Sequence, residues 1–375
     1  MNINFNNITD AYYSNQIALN KIYGRNGLLL WERSSGPEPP LPIINEYDPE
    51  PDSIYYDMPL TIEMLESGTF LFEKTFTQAT QSVSGLQFQY SLDDINWIIV
   101  TNNDMNITYD GSNITKVEWS INLNTNDKIK IKASNNSGYG PLGNANNGAT
   151  VRLLINSKCN VYGNLLSLVF PSGDYAEYSS HYASAWFRKI FNTSKIVDAS
   201  NLIVPAYATM QMFYQSMFQD CDELLYPPKI KHIVTTNSGT PNSYKFERMF
   251  QGCIKMEANP VLPSFVNSIW QSPANYMFAG CTSIHSEPNL YIGTSDAIMM
   301  NFRFGDHMFE GCNKISSIMI TYNKATTYLN RYIKWTFKGL NTNGGILYCS
   351  SSSVANKIND AASDIMTTNW VAQKK

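Results

Sequence analysis

A five-residue phrase that returns four times in the second half of the chain constrains the fold more than any other feature. Each copy has Met-Phe at its start and Cys at its end, and three of the four carry Gly just before the Cys. The Cys-to-Cys intervals are 32, 28 and 31 residues. A period between about 20 and 50 residues is typical of a solenoid, in which each unit buries its apolar face against its neighbours. The repeated positions are Met217, Phe218, Cys221, Met249, Phe250, Cys253, Met277, Phe278, Cys281, Met308, Phe309 and Cys312.

Two degenerate copies flank the four full ones. One ends at Ser194, 27 residues before Cys221, and the other ends at Leu340, 28 residues after Cys312. A terminal repeat has one face in solvent, so its sequence is expected to deviate from the others. We therefore predict six units, with capping copies at both ends.

Inside a unit, the spacing of the aromatic, Met, Phe and Cys residues is helix-like, and the segment after the Cys is extended and often interrupted by Pro. We predict a short strand and a helical or 3₁₀ turn in each unit, with Met, Phe and Cys facing inward. Gly252, Gly280 and Gly311 would supply a tight or left-handed backbone step before the Cys.

The region 59–157 has a β pattern throughout. Short β-prone runs alternate with clusters of Asn, Asp and Gly, and in one run Lys128, Lys130 and Lys132 alternate with Ile129 and Ile131. Such alternation is typical of a half-buried strand. Six or seven strands in about 100 residues predict a small antiparallel β-sandwich. The runs cover 69–72, 86–91, 97–100, 117–121, 128–132 and 150–155.

The first 34 residues contain two further β-prone runs, 17–23 and 28–32, on either side of Asn26-Gly27. Asn-Gly between such runs indicates a hairpin, and a lone hairpin is marginally stable in water. This hairpin is therefore either an edge extension of the next domain or an anchor that docks on another subunit, and both interpretations stay open. The candidate anchor residues are Ile22, Tyr23, Leu28, Leu30 and Trp31.

These patterns predict an α+β chain that is rich in strands. It divides into an N-terminal attachment segment (1–34), a proline-rich linker (35–58), the β-sandwich-like domain (59–157) and the repeat solenoid with its C-terminal cap (158–375). In the linker, prolines interleaved with acidic residues favour a semi-rigid extended spacer. In the cap we expect a strand over 344–349, an amphipathic helix over 353–366, and Trp370 folded back over the open end.

Composition excludes some classes of partner. Only 15% of the residues are charged and the formal net charge is -4. No basic face is expected, so we expect neither nucleic acid nor an anionic membrane surface as a partner. No apolar run approaches the roughly 20 residues that span a bilayer, so no membrane insertion is expected. The N-terminus lacks the pattern of a signal peptide.

Motifs that would carry chemistry are weak. Zinc sites bring cysteines in close pairs, and this chain has none, so the cysteines are interpreted as buried thiols and no metal is expected. The segment 138–143 matches a dinucleotide-binding fingerprint, but a strand pattern follows where a helix is needed, so no cofactor is expected. The four histidines fall at unrelated repeat positions, which argues against catalysis, although a pair of carboxylates from separate loops stays open.

The repeats resemble the BspA-like leucine-rich repeats, whose unit carries an aromatic residue, a Gly-Cys pair and then Leu or Ile. Here the last two features are Cys253-Ile254, Cys281 with Ile284, and Cys312 with Ile315. Departures from the family pattern are Asp220 in place of Gly, and Ser194 and Leu340 in place of Cys. The form with Met-Phe-x-Gly-Cys is similar to proteins encoded by bacteriophages and prophages of gut anaerobes, in which a β-rich module precedes the repeats.

The resemblance implies a non-enzymatic virion protein, either a fibre or a capsid or tail decoration, located on the virion. Its partners would be other virion proteins, through the N-terminal segment, and a glycan or protein of the host surface. A homo-oligomer is implied, with a trimer common among phage fibres. Aromatic residues between the copies are candidates for stacking on sugars. They are Tyr226, Tyr291 and Tyr322.

Two other functions stay open. A bacterial surface adhesin would share the repeats, but secreted members of the wider family carry a signal peptide. A glycan hydrolase would use a carboxylate pair that spacing alone does not reveal.

Overall fold

The computed structural model describes two compact units, Met1–Tyr47 and Asp48–Lys375. The described part of the chain is rich in strands and has few helices. The residues described are 11–13, 17–19, 21–23, 29–32, 58–76, 83, 86–134, 150–169, 187–204, 214–228, 246–257, 265–266, 274–285, 287–293, 305–322, 329, 333–341, 343–366 and 369–375. The proline-rich linker lies outside them, except for its last residue, Met58.

The first unit contains two antiparallel hairpins. Strand β1 (Ala11–Tyr13) pairs with β2 (Ile17–Leu19), and β3 (Lys21–Tyr23) pairs with β4 (Leu29–Glu32). The β3–β4 pair confirms the hairpin predicted across the Asn-Gly turn. The run predicted over 17–23 is divided between the two hairpins, because its first half pairs backward with β1. Ile22 lies opposite Trp31 in the register, and the candidate anchor residue Leu28 lies outside the described residues.

The second unit begins with two sheets. Their strands are β5 (Leu60–Met64), β6 (Gly68–Thr75), β7 (Gln87–Ser91), β8 (Ile98–Thr101), β9 (Asn106–Asp110), β10 (Asn113–Leu123), β11 (Lys128–Ala133), β12 (Thr150–Ile155), β13 (Cys159–Asn164), β14 (Ile196–Asp198) and β15 (Leu202–Ile203). The smaller sheet has the order β12-β6-β10-β9, and the larger has the order β14-β13-β5-β11-β7-β8, with β15 paired to β13. Each of the six runs predicted as strands overlaps one of these strands.

Aromatic side chains join the two sheets. The ring of Phe88 on β7 lies 4.9 Å from that of Phe72 on β6 and 5.4 Å from that of Trp119 on β10. Alternation along the strands puts these side chains inside, as on β11, where Ile129 and Ile131 are buried between exposed or half-buried lysines. Burial of such large aromatic surfaces stabilises the packing of the two sheets.

Strand β13 joins the two N-terminal sheets of this unit to the repeats. It pairs antiparallel with β5 on one side and parallel with β14 and β15 on the other, so one sheet crosses the boundary that the sequence predicts at residue 157. The N–H of Leu153 on β12 also donates to the carbonyl of Ile190, 2.6 Å away, in the first repeat copy. The buried residues of both parts form one continuous hydrophobic core.

Each of the first four repeat copies is built from three overlapping hydrogen-bonded turns, and each of the last two has two of these hydrogen bonds. In the copy that ends at Cys221, the N–H groups of Met217, Gln219 and Cys221 each donate to the carbonyl three residues earlier, at 3.1 to 3.2 Å. Ser216 and Asp220 have φ of 57° and 60°. A residue with positive φ interrupts a helix. Ser216 and Asp220 are each the third residue of a turn, where positive φ is typical of a type II β-turn. The predicted helical or 3₁₀ turn is therefore wrong.

The N–H groups of the residues between these donors explain the turn geometry, because they form hydrogen bonds to the next copy. Ser216 donates to Glu247 at 2.9 Å, Phe218 to Met249 at 2.8 Å, and Asp220 to Gln251 at 2.7 Å. Alternate backbone groups thus bond within a copy and between copies. A helix would direct all of them along its own axis.

The phenylalanines of the phrase form an unbroken stack through six copies. Successive ring centroids lie 5.3 to 6.3 Å apart, with interplanar angles of at most 26°. The members are Phe191, Phe218, Phe250, Phe278, Phe309 and Phe337.

A parallel five-stranded sheet continues from the later copies to the C-terminus. Its strands, in order, are β16 (Phe265–Val266), β17 (Asn289–Gly293), β18 (Ser317–Tyr322), β19 (Gly345–Cys349) and β20 (Trp370–Lys374).

The C-terminal segment before β20 is helical. The helix predicted over 353–366 is two helices, α1 (Ser352–Asp360) and α2 (Ala362–Ile365), because Ala361 leaves helical geometry with a ψ of 23°. Trp370 is buried, and its indole N–H donates to the carbonyl of Asn341 at 3.1 Å. The chain end thus extends the parallel sheet by one strand.

Candidate functional site

The repeated Met, Phe and Cys side chains are not available at the surface. All twelve are at most 1% exposed. All six cysteines of the chain are buried free thiols, as the sequence predicts. The thiols of the phrase also have a polar role that the sequence does not indicate, because each Sγ lies 3.0 to 3.1 Å from the carbonyl oxygen of a phenylalanine in the preceding copy. The pairs are Cys221 with Phe191, Cys253 with Phe218, Cys281 with Phe250, and Cys312 with Phe278.

Burial keeps these thiols protonated. It raises the pKa of Cys312 to about 12, and it raises the pKa values of Cys221, Cys253 and Cys281 well above the ordinary thiol value. A protonated thiol can donate a hydrogen bond, whereas a thiolate cannot. The thiolate is also the form that acts as nucleophile or metal ligand. The cysteine column is therefore suited to hold neighbouring copies together and poorly suited to catalysis.

Ser194 occupies the Cys position in the first copy and serves two backbone groups. Its Oγ donates to the carbonyl of Leu153 at 2.9 Å and accepts from the N–H of Ile155 at 3.3 Å. Both partners lie on β12 of the sandwich. A hydroxyl is a stronger donor and acceptor than a thiol. Ser thus replaces Cys in the first copy, whose hydrogen-bond partners at this position lie on a strand and not on a preceding repeat copy.

The residue before the Cys position has positive φ in every copy. The values are 77°, 76°, 74° and 76° at Gly252, Gly280, Gly311 and Gly339, and 60° at Asp220. The Asp therefore adopts the same turn as the glycines. Partial burial of the carboxyl, and after it the nearby Asp222, raises the pKa of Asp220 above 3.8.

The three candidate ligand-binding tyrosines do not form a common surface. Tyr226 is 48% exposed. Tyr291 lies on β17, and its side chain is outside the described residues. Tyr322 is only 4% exposed, so its prediction as a surface residue is wrong. It follows Ile318 and Ile320 at every second position of β18, and that alternation directs it to the buried side of the sheet.

A different row of residues reaches the surface in every copy, although one member of the row, Ser216, is only 3% exposed. The two middle residues of the first turn in each copy form a corner, and the six corners follow one another through interlocking hydrogen bonds such as Lys189 to Gln215 and Arg248 to Asn275, both 2.9 Å. We call this row the corner ridge. It consists of Arg188, Lys189, Gln215, Ser216, Glu247, Arg248, Asn275, Tyr276, Asp306, His307, Lys334 and Trp335.

Aromatic rings on the corner ridge stack on one another. The rings of Tyr276 and His307 lie 5.4 Å apart and nearly parallel, and the guanidinium of Arg248 lies 5.7 Å from the centre of the Tyr276 ring. Both faces of Tyr276 are therefore occupied. A sugar stacks on an open aromatic face, so this tyrosine offers only its edge and hydroxyl to a ligand.

One end of the corner ridge is strongly basic. Arg188 and Lys189 are adjacent in the chain. The pKa of Lys189 is lowered by its partial burial and then by the positive charges of Arg188, Arg152 and Arg248. The Nε atom of Arg188 is buried and has no hydrogen-bond partner in the described part of the chain. Two adjacent cations without an ion pair among the described residues are suited to bind an anion.

Sequence reasoning did not find the corner ridge. The repeated positions drew attention to Met, Phe and Cys, whereas the corner positions differ in every copy. The signal was present five residues before the Cys, where the residues are Lys189, Ser216, Arg248, Tyr276, His307 and Trp335. A position that varies inside a repeated phrase indicates a side chain that does not pack in the repeated core.

Comparison with family models, with curated proteins and with solved structures found no match. Among the described residues, no group of three or more His, Cys, Asp or Glu side chains is arranged to hold a metal ion. The helices within that same part of the chain are all too short or too polar to cross a bilayer. The segment 138–143, with the dinucleotide fingerprint, lies outside the described residues.

Proposed function

We propose that the chain is a non-enzymatic virion protein of a bacteriophage, a fibre or a capsid or tail decoration. Its repeats would form a BspA-like leucine-rich-repeat solenoid that presents a surface to a glycan or protein of the host. The N-terminal segment would attach it to other virion proteins. The bacteriophage origin is the implication of the repeat phrase and of the order of its modules.

The stacked phenylalanines carry the proposal of a rigid display module. Six copies share one aromatic stack, and N–H groups at the corners and along the phrase bond to the next copy. In a solenoid each unit contacts only its neighbours, and stability is a sum of such contacts. An array of this kind holds variable side chains at fixed spacing, which is a requirement for recognition of an extended ligand.

The reactive side chains of the phrase also favour display over catalysis. Each cysteine of the four full copies is buried, protonated and bonded to a backbone carbonyl. Nucleophilic catalysis needs an accessible thiolate next to a base. The cysteine thiols thus bind neighbouring copies to each other.

The hairpins of the first unit support the proposed attachment role. The β3–β4 hairpin has Ile22 and Trp31 opposite each other in its register. A short hairpin is marginally stable alone, so a partner subunit would provide the surface that it needs. Phage fibres are symmetric oligomers, and we propose that this chain forms a homo-oligomer, most simply a trimer.

The test is mass spectrometry and immunogold labelling of purified virions. We expect the protein in virions, at a copy number that matches a symmetric position. A chain that lacks residues 1–34 should fold but be absent from virions. Protein found only on the surface of cells without an active phage would contradict the proposal and favour an adhesin.

A further inference from the structure

The basic end of the corner ridge brings four cationic side chains together. Arg188 and Lys189 form the corner of the first copy, and the hydrogen bond from Leu153 to Ile190, 2.6 Å long, places the preceding residue, Arg152, beside them. Arg248 occupies the same corner position two copies further on.

Acidic residues neutralise only two of these four charges. Arg152 donates to Glu73 through its Nε at 2.8 Å, and Arg248 lies 3.7 Å from Glu247. Arg188 and Lys189 form no ion pair within the described residues, and the Nε of Arg188 is buried without a hydrogen-bond partner there. Counted over the described residues, the cluster therefore has an excess of two positive charges.

The corner between the cations is occupied by a short side chain. Ser216 lies between Lys189 and Arg248 in the row of corners, because Lys189 donates to the carbonyl of Gln215 and Ser216 donates to that of Glu247, both at 2.9 Å. The Oε1 atom of Gln215 is buried and also lacks a partner in the described chain. Ser216 is itself only 3% exposed, so an anionic group would be held above this corner, between the charged ends of the two long cationic side chains.

We infer that Arg188, Lys189 and Arg248 form a binding site for the anionic group, a carboxylate or a sulfate, of an acidic polysaccharide. A guanidinium matches the two oxygens of such a group in geometry, and an anion there would remove the repulsion among the cations. The polysaccharide as the source of the anion depends on the proposed function in host-surface binding. The anion site itself depends only on the arrangement of these residues.

The remainder of the ridge argues against nucleic acid as the ligand. A phosphate backbone needs a row of cations along its path. Beyond Arg248 the corners are Asn275, Tyr276, Asp306 and His307, with no further cation until Lys334. Lys334 is itself 3.6 Å from Asp364. One anionic group is therefore held at one end of the ridge, next to polar side chains that can bond sugar hydroxyls.

The test is titration calorimetry of the full purified chain with three polysaccharide fragments of equal length and with a single-stranded oligonucleotide. Polygalacturonate supplies carboxylates, dextran sulfate supplies sulfates, and dextran is neutral. The variant is Arg188→Gln with Lys189→Asn, because Asn tolerates the positive φ of 58° at that corner. The control is Lys314→Gln with Lys357→Gln, which removes the same charge from exposed lysines away from the ridge.

We expect the wild type and the control to bind one or both anionic fragments and not dextran. The corner variant should bind about tenfold or more weakly, since at least one charge-assisted hydrogen bond is lost. Equal binding by corner variant and control would overturn the site, as would absence of binding to both anionic fragments. Tighter binding to a single-stranded oligonucleotide than to either fragment would also overturn it. None of these outcomes depends on detection of the protein in virions.

Discussion

The Sγ atom of Cys253 lies 3.1 Å from the carbonyl oxygen of Phe218, to which it donates a hydrogen bond from one repeat copy to the preceding one. The ring of Phe218 stacks on that of Phe250, 5.6 Å away, in the copy of Cys253. A single phrase thus supplies both an apolar contact and a polar contact between copies. The thiol suits this place because it is small, largely apolar and still able to donate.

The first prediction concerns the role of the thiol as a donor. Cys253→Ala should lower the free energy of unfolding by about 1 kcal/mol, because it removes the hydrogen bond from the thiol to the Phe218 carbonyl, which still accepts from the N–H of Cys221 at 3.1 Å. Cys253→Ser keeps a donor and should be less destabilising than Ala. Urea denaturation measures both. If Cys253→Ala were more stable than Cys253→Ser, the thiol would contribute only apolar packing and not a hydrogen bond.

Cys349 offers a control for this comparison. It is buried, but its sulfur is 3.5 Å from the carbonyl of Leu347 in its own strand. This bond is longer and does not join two copies, so substitution of Cys349 by Ser should bring a smaller advantage over Ala than it does at Cys253.

The second prediction concerns thiol reactivity. In the native protein at about pH 8.5, all six cysteines should resist alkylation, because they are buried and burial raises the pKa values of these thiols, for example to about 11 for Cys349. Alkylation should be complete in guanidinium chloride. Mass spectrometry of the two samples provides the measurement. Rapid native labelling of any cysteine of the phrase would contradict the buried column.

The third prediction concerns Asp220. Burial and Asp222 raise the pKa of its carboxyl above 3.8, so the folded state binds the proton more tightly than the unfolded state. Stability is therefore lost as the pH rises from the unfolded-state pKa of Asp220 through its higher folded-state pKa. The loss is fully present at neutral pH. Asp220→Asn, which tolerates positive φ, should raise stability by about 0.5 kcal/mol at pH 7.

The gain should disappear as the pH falls toward the unfolded pKa of 3.8 and below it. Thermal denaturation over this pH range is the measurement. Asp222→Asn is the control, since Asp222 accepts from Lys195 at 2.7 Å and its substitution removes an ion pair. A gain of equal size in acid would show that the charge of Asp220 is not the cause.

The fourth prediction uses two tyrosines that sequence analysis treats alike. Tyr322 is 4% exposed and Tyr226 is 48% exposed. Tyr322→Ala should lower the free energy of unfolding by about 3 kcal/mol, because it leaves a cavity under the parallel sheet. Tyr226→Ala should change it by no more than about 0.5 kcal/mol. Chemical denaturation of the two variants decides whether Tyr322 is part of the core.

The sequence by itself determined the repeat positions, the strand-rich character and the burial of the cysteines. Periodicity is sufficient for these because a side chain that recurs every 30 or so residues must meet its equivalents in the neighbouring copies. The alternation of Lys and Ile on β11 was readable for the same reason, since a strand has a period of two.

The tertiary structure alone decided the form of the turn and the location of the corner ridge. Spacing within one copy resembles a helix, but the N–H groups of Ser216, Phe218 and Asp220 bond to the next copy. Their partners are about 30 residues away, and local sequence does not identify them. The same holds for Ser194, whose two backbone partners lie on β12. Local pattern specifies which side chains are buried, whereas contacts between copies determine the backbone path and which side chains meet at the surface.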